Sequence, residues 1–125
     1  METEKKKKKV LVLGASLKSD RISHEAVERL SASGHQVIAY GMQEGMIGSV
    51  PVIKDFKPVE GVDTITLYLN SLNQKAFYDF ILNTNPKRVI FNPGTENPEL
   101  QQMLTAAGIY FEESCTLVML RTSVF

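Results

Sequence analysis

The 125-residue chain is 43% hydrophobic and 22% charged, which fits one ordinary globular domain and is too short for two. Its formal charge is zero, but five of its 14 basic residues form the run Lys5 to Lys9, and from Val10 onward nine Lys and Arg face twelve Asp and Glu. An acidic body argues against nucleic acid as a partner, and no apolar run approaches the roughly 20 residues of a membrane helix.

The charged stretch Met1 to Lys9 does not read as a secretory signal, and Cys115, the single cysteine, has no partner for an internal disulfide. Both point to the reducing cytoplasm. Residues 1–8 are expected to be a flexible basic lead-in, and residues 9–125 a single domain.

Val10-Leu11-Val12-Leu13 is wholly apolar and ends at Gly14, the pattern of a strand buried on both faces of a parallel sheet. Ile22, Ala26, Val27 and Leu30 then recur at helical spacing, with Gly34 placed to end the helix. Gln36 to Tyr40 reads as strand two. Gly41 to Gly61 holds four glycines and two prolines and is expected to be irregular, with at most a short extended piece at Val52-Ile53.

Val62 to Leu69 reads as strand three. Ser71 and Gln74 have the spacing of a capping box for a helix whose buried stripe is Leu72, Ala76, Phe80 and Ile81. Arg88 to Phe91 reads as strand four. Asn97-Pro98 opens a helix carrying Leu100, Met103, Leu104 and Ala107, which Gly108 ends. Ile109 to Phe111 is strand five, and Ser114 to Leu120 is either a closing helix or an extended segment. The alternation predicts an α/β, Rossmann-like, doubly wound sheet of five parallel strands in the order 3-2-1-4-5, between two helical layers.

Ligands of open parallel sheets bind beyond the carboxyl ends of the strands. Strand one leads there into Gly14-Ala15-Ser16 and on to Arg21-Ile22-Ser23. Glycine allows a sharp turn, small residues let backbone N–H groups approach an anion, and the helix start adds a positive dipole end. Arg21 can grip a phosphate with its planar fork. Either Ser23 or Asp20 caps the helix.

The nicotinamide fingerprint is incomplete: the turn lacks its second glycine, and strand two ends in Tyr40-Gly41 with no carboxylate. No P-loop sequence occurs. A different adenine nucleotide is indicated.

Catalytic candidates are weak. His24 either meets a phosphate or is a solvated surface residue, and His35 reads as a surface loop residue. Cys115 reads as a small buried core residue without a base beside it, and Glu112-Glu113, at a strand end, either turn a carboxylate toward the cleft or are a solvated pair. No His/Cys cluster suggests a metal. Asn92-Pro93-Gly94-Thr95 either lines a ligand path or is a turn.

The stretches VLVLGAS…DRIS, QVIAYG, VDTITLYLN and NPGTENPEL…GIYFEESC resemble the small stand-alone coenzyme A-binding proteins. These share a Rossmann-like domain with the coenzyme A-binding part of succinyl-CoA synthetase. The resemblance implies phosphate contacts for Ser16, Arg21 and Ser23 and adenosine contacts for Tyr40 and Gly41. Gly14, Ala15, Asn70, Pro93 and Gly94 complete the cofactor-binding set it implies.

Two features depart from the family. Gly41-Met42-Gln43 stands where many members carry a proline-containing loop, and the synthetase's phosphorylated histidine has no counterpart. The expected function is non-catalytic binding of coenzyme A or a short acyl-CoA, with no nucleic acid or membrane partner. Alternatives are an acyl-CoA- or other nucleotide-dependent enzyme completed by a partner subunit, and a degenerate Rossmann interaction module. A homo-oligomer fits any of these.

Overall fold

The computed structural model describes residues 7–125. Strand β1 (Lys9–Ala15) runs into a turn, then helix α1 (Ile22–Ala32), and the chain returns through β2 (Gln36–Gly41). A hairpin of β3 (Gly45–Ile47) and β4 (Val50–Ile53) follows. Next come β5 (Thr64–Leu67), α2 (Ser71–Gln74), a 3-10 turn over Lys75–Phe77 and α3 (Tyr78–Thr84). The chain closes with β6 (Arg88–Phe91), α4 (Pro98–Ala106), β7 (Tyr110–Glu113) and α5 (Thr116–Arg121). Met1 to Lys6, most of the expected lead-in, lie outside the described residues.

The seven strands form one sheet in the order β3-β4-β2-β1-β5-β6-β7. Neighbouring strands are parallel except β3 and β4, which pair antiparallel. β1 sits in the middle because Val10 to Leu13 tolerate no water: all four are fully buried. Val10 and Val12 pack on one face with Val27 and Leu30 of α1 and Met119 of α5. Leu11 and Leu13 pack on the other with Ile81 of α3 and Leu100 and Leu104 of α4. Each such side chain contributes roughly 1.5–3 kcal/mol of burial, and the alternation produces the three layers.

The expected order of five strands is corrected. The strand at Val62 to Leu69 is shortened to β5 and pairs with β1, on the side away from β2. The place beside β2 belongs to β4, which comes from the segment expected to be irregular and contains Val52-Ile53. With β4 counted as the third strand, the parallel part reads 3-2-1-4-5-6, the Rossmann order. Only Val50 and Val52 of β4 are buried, and Pro51, a residue disfavoured inside sheets, masks the pattern.

The capping box at Ser71 and Gln74 is also corrected. Asn70 is the cap, its Oδ1 accepting from the Asn73 N–H at 2.8 Å. Gln74 turns inward and is fully buried, and the helix breaks into α2, the 3-10 turn and α3. Of the expected stripe, Ile81 is fully buried and Phe80 half-buried, whereas Ala76 is exposed and Leu72 is 73% exposed. In α1, Ala26, Val27 and Leu30 are buried but Ile22 is not. Asn97 caps α4 as expected, and the closing segment is helical.

Candidate functional site

At the carboxyl edge of β1, Gly14 adopts φ +100° and breaks the register with β2 between Leu13 and Ala15. A side chain there would meet the Tyr68 carbonyl carbon at 3.0 Å and the Leu69 side chain at 3.1 Å. Gly41 ends β2 hard against the same turn, where any Cβ would collide with the Ala15 carbonyl oxygen. Both glycines therefore let backbone approach backbone where a ligand would sit.

Internal hydrogen bonds shape the turn. The Arg21 N–H donates to Lys18 O at 3.1 Å, and the Lys18 N–H donates to Ser16 Oγ at 3.1 Å. His24 Nδ1 lies 3.0 Å from the Ser16 carbonyl oxygen, the geometry of an Nδ1–H donor, and its Nε2 lies 3.7 Å from Glu28. Arg21 occupies the N-cap of α1 in extended backbone, and no side chain caps the first amides. Neither Ser23 nor Asp20 takes that role.

A cleft of about 500 Å³ opens at this point. The Gly14–Lys18 turn and Arg21 form one wall; Met42 and Gln43 after β2, and Leu69 and Asn73 after β5, form the others. Lys18 and Arg21 are exposed cations, and among the described residues the wall holds no carboxylate, imidazole or thiol. Uncapped helix amides beside two cations attract an anion.

Of the residues singled out in the sequence, the structure gathers Gly14, Ala15, Ser16 and Arg21 around the cleft. Ser23 is 6% exposed and sits inside the second position of α1. Tyr40 faces the core: its hydroxyl donates to Lys57 O at 2.8 Å and its ring stacks on Phe56 at 4.9 Å. Burial, then the Asp55 charge, pushes its pKa up. Gly41 forms the seam with Ala15, and Asn70 caps α2. Pro93 and Gly94 are exposed in the loop after β6, where the Gly94 N–H donates to the Glu96 carboxylate at 3.1 Å.

That loop is held as a turn. The Asn92 amide donates to Thr66 Oγ1 at 2.7 Å and Leu67 O at 2.8 Å, and its carbonyl accepts from the Thr116 N–H at 2.9 Å. The buried Gln74 amide donates to Leu69 O at 2.8 Å and Thr95 O at 2.7 Å, and its carbonyl accepts from Asn97 Nδ2 at 2.8 Å. Nearby, the Tyr68 hydroxyl is buried without a hydrogen-bond partner, beside Thr66 and Thr116, whose hydroxyls bond each other at 2.8 Å. Burial raises the Tyr68 pKa to about 12.

Four further expectations are corrected. His24 is half-buried and held by Ser16 and Glu28, so it is not a solvated surface residue. His35 is half-buried, accepting from the Lys8 N–H at 3.0 Å and lying 5.2 Å from the Phe125 ring. Cys115 is half-buried at the N-cap of α5 rather than within the core. Glu112 is half-buried and pairs with Arg88 at 3.6 Å, so it is not merely solvated, whereas Glu113 is exposed as expected and accepts from Gln101 at 2.9 Å.

The sequence reading missed Leu17, Lys18, Met42, Gln43, Leu69 and Asn73 as cleft residues. Their signal was position alone, all but Asn73 of α2 lying just past the carboxyl end of a strand that reaches this edge.

Residues 8–121 match the sequence pattern described as the CoA binding domain. An uncharacterised protein of known crystal structure is 45% identical, with a TM-score of 0.93 over 97% of this chain and 100% of its own. A protein from Thermus thermophilus, 23% identical, has a TM-score of 0.83 over 95% of this chain and 91% of its own. A hypothetical protein from Pyrococcus horikoshii, 16% identical, has a TM-score of 0.82 over 94% and 84%. These last two share the fold. No curated protein matches the chain. With the match running from β1 through α5 and enclosing the whole anion-attracting turn, this chain belongs to the CoA binding domain family.

Proposed function

We propose that the domain binds coenzyme A or a short acyl-CoA through β1, the Gly14–Arg21 turn and α1, and performs no chemistry on it. The uncapped start of α1 carries this reading. Asparagines cap α2 and α4, whereas α1 begins at Arg21 with no side-chain acceptor for its first amides. A pyrophosphate supplies that acceptor, and Ser16, Lys18 and Arg21 stand around it.

Met42 and Gln43, just past Gly41 at the end of β2, border the side that suits adenosine in a parallel sheet. When bound, coenzyme A supplies a thiol that carries an acyl group. Among the described residues the cleft wall holds no carboxylate, imidazole or thiol to activate its Ser16 hydroxyl against that thioester, which supports a carrier or sensor over an enzyme. The single cysteine fits a cytoplasmic protein.

The test is calorimetric titration with coenzyme A and with NAD, together with mass spectrometry of ligand released from gently purified protein. We expect retained coenzyme A or acyl-CoA and a clear preference for coenzyme A. Equal or tighter binding of NAD overturns the ligand assignment. Hydrolysis of bound acetyl-CoA above the uncatalysed rate overturns the non-catalytic part.

A further inference from the structure

We propose that Lys54 binds the 3′-phosphate of coenzyme A and so sets which adenine nucleotide the domain accepts; this rests on the coenzyme A reading above. The sheet register puts Lys54 in place. Ala15 pairs with Gly41 across β1 and β2, and Tyr40 pairs with Ile53 across β2 and β4. Lys54, one residue beyond Ile53, therefore continues the row Ala15, Gly41 along the carboxyl edge of the sheet. Adjacent strands lie about 4.8 Å apart, so its backbone is roughly 10 Å from the phosphate turn. The flexible four-carbon stem of a lysine spans much of that gap.

A second cleft of about 500 Å³ occupies this stretch, bordered by Leu17, Met42, Gln43, Glu44 and Lys54. It shares Leu17, Met42 and Gln43 with the first, so one continuous groove runs from Arg21 to Lys54. Leu17 lies between the two halves and packs close to Gly45 of β3, where an added Cβ would stand 2.7 Å from its Cδ1.

The groove thus has cations at both ends, Lys18 and Arg21 at one and Lys54 at the other. Lys54 is exposed, and among the described residues it has no ion-pair partner. Coenzyme A matches this spacing of charge, because its ribose carries a 5′-pyrophosphate and, across the same ring, a 3′-phosphate. A phosphate monoester bears about −1.5 to −2 charges at pH 7. NAD and 3′-dephospho-coenzyme A have the first anion and lack the second. Glu44, in the same wall, opposes an anion there, which gives the inference a second sign to check.

Calorimetric titration of coenzyme A and 3′-dephospho-coenzyme A into wild type, Lys54→Met and Glu44→Gln tests it. Wild type should prefer coenzyme A by roughly tenfold, the scale of one charge-assisted contact. Lys54→Met should bring coenzyme A down to the affinity of the dephospho form and leave the latter unchanged. Glu44→Gln should widen the preference.

Equal affinities in wild type, or a Lys54→Met loss common to both ligands, overturn the role of Lys54 while leaving the coenzyme A reading intact. Glu44→Gln weakening both ligands overturns it too, because that carboxylate would then be holding ribose hydroxyls. Wild type that binds neither ligand overturns the coenzyme A reading, and this inference with it.

Discussion

Arg21→Ala separates ligand binding from folding cleanly. The side chain is exposed, lines the cleft, and makes no capping bond to α1, so the folded protein loses nothing when it is removed. Stability should stay within about 0.5 kcal/mol of wild type. Binding should suffer, because a guanidinium paired with a pyrophosphate contributes on the order of 1.5–3 kcal/mol, equivalent to a 10- to 150-fold loss of affinity. Arg21→Lys should recover only part of this, since a point charge cannot reproduce the bidentate fork. Arg29 is the control: it lies 64% exposed on the outer face of the same helix, paired with Glu25 at 3.3 Å, and Arg29→Ala should leave binding alone. Titrating coenzyme A into the wild type and three variants, with melting curves to confirm folding, decides the matter. A folded Arg21→Ala that binds like wild type refutes the placement of the phosphates at this turn.

Two further outcomes concern stability. The Tyr68 hydroxyl is buried without a partner, so Tyr68→Phe should cost nothing or stabilise slightly at pH 7. Its pKa of about 12 exceeds the unfolded value of 10, so the folded state holds the proton more tightly. Desolvation penalises the phenolate, so the folded state loses stability only as pH rises from 10 toward 12, by on the order of 2 kcal/mol, and the phenylalanine variant should decline less steeply. Denaturant unfolding from pH 7 to 11 measures both effects, and destabilisation above about 1 kcal/mol at pH 7 would mean the hydroxyl is bonded after all. Gly41→Ala forces a methyl into the Ala15 carbonyl and should destabilise the seam by about 1–3 kcal/mol, measured by urea unfolding, while weakening coenzyme A binding. An unperturbed variant would show that β2 and the turn have room to separate.

The strand-turn-helix geometry after β1 was legible because its cause is local. A fully apolar strand, a glycine and a helix start follow one another within a few residues, and sequence alone sets their order in space. The rest of the groove depends on which strands lie side by side. β4 has two buried valines around a proline, too little pattern to announce a strand, yet it brings Lys54 into the row with Gly41. Missing it displaced the strand at Val62 to Leu69 to the wrong side of β1. Tyr40 misled for a related reason. Its position at the strand-two end is right for a ligand contact, but strand alternation turns the ring toward Phe56 and away from the cleft. Gln74 has the spacing of a helix cap; three partners in the fold, two carbonyls and an amide, outcompete that local role.

The turn proposed to hold the ligand is the direct continuation of β1, the strand buried on both faces with parallel neighbours on either side. A loop at the rim of a domain can loosen by itself; this one cannot release its grip without disturbing the centre of the sheet. Occupancy is therefore linked to unfolding of the whole molecule, and each tenfold excess of ligand over its dissociation constant adds about 1.4 kcal/mol to global stability. In hydrogen exchange, ligand should slow the amides of Val10 to Leu13 and those of the neighbouring β2 and β5 together, as one cooperative unit.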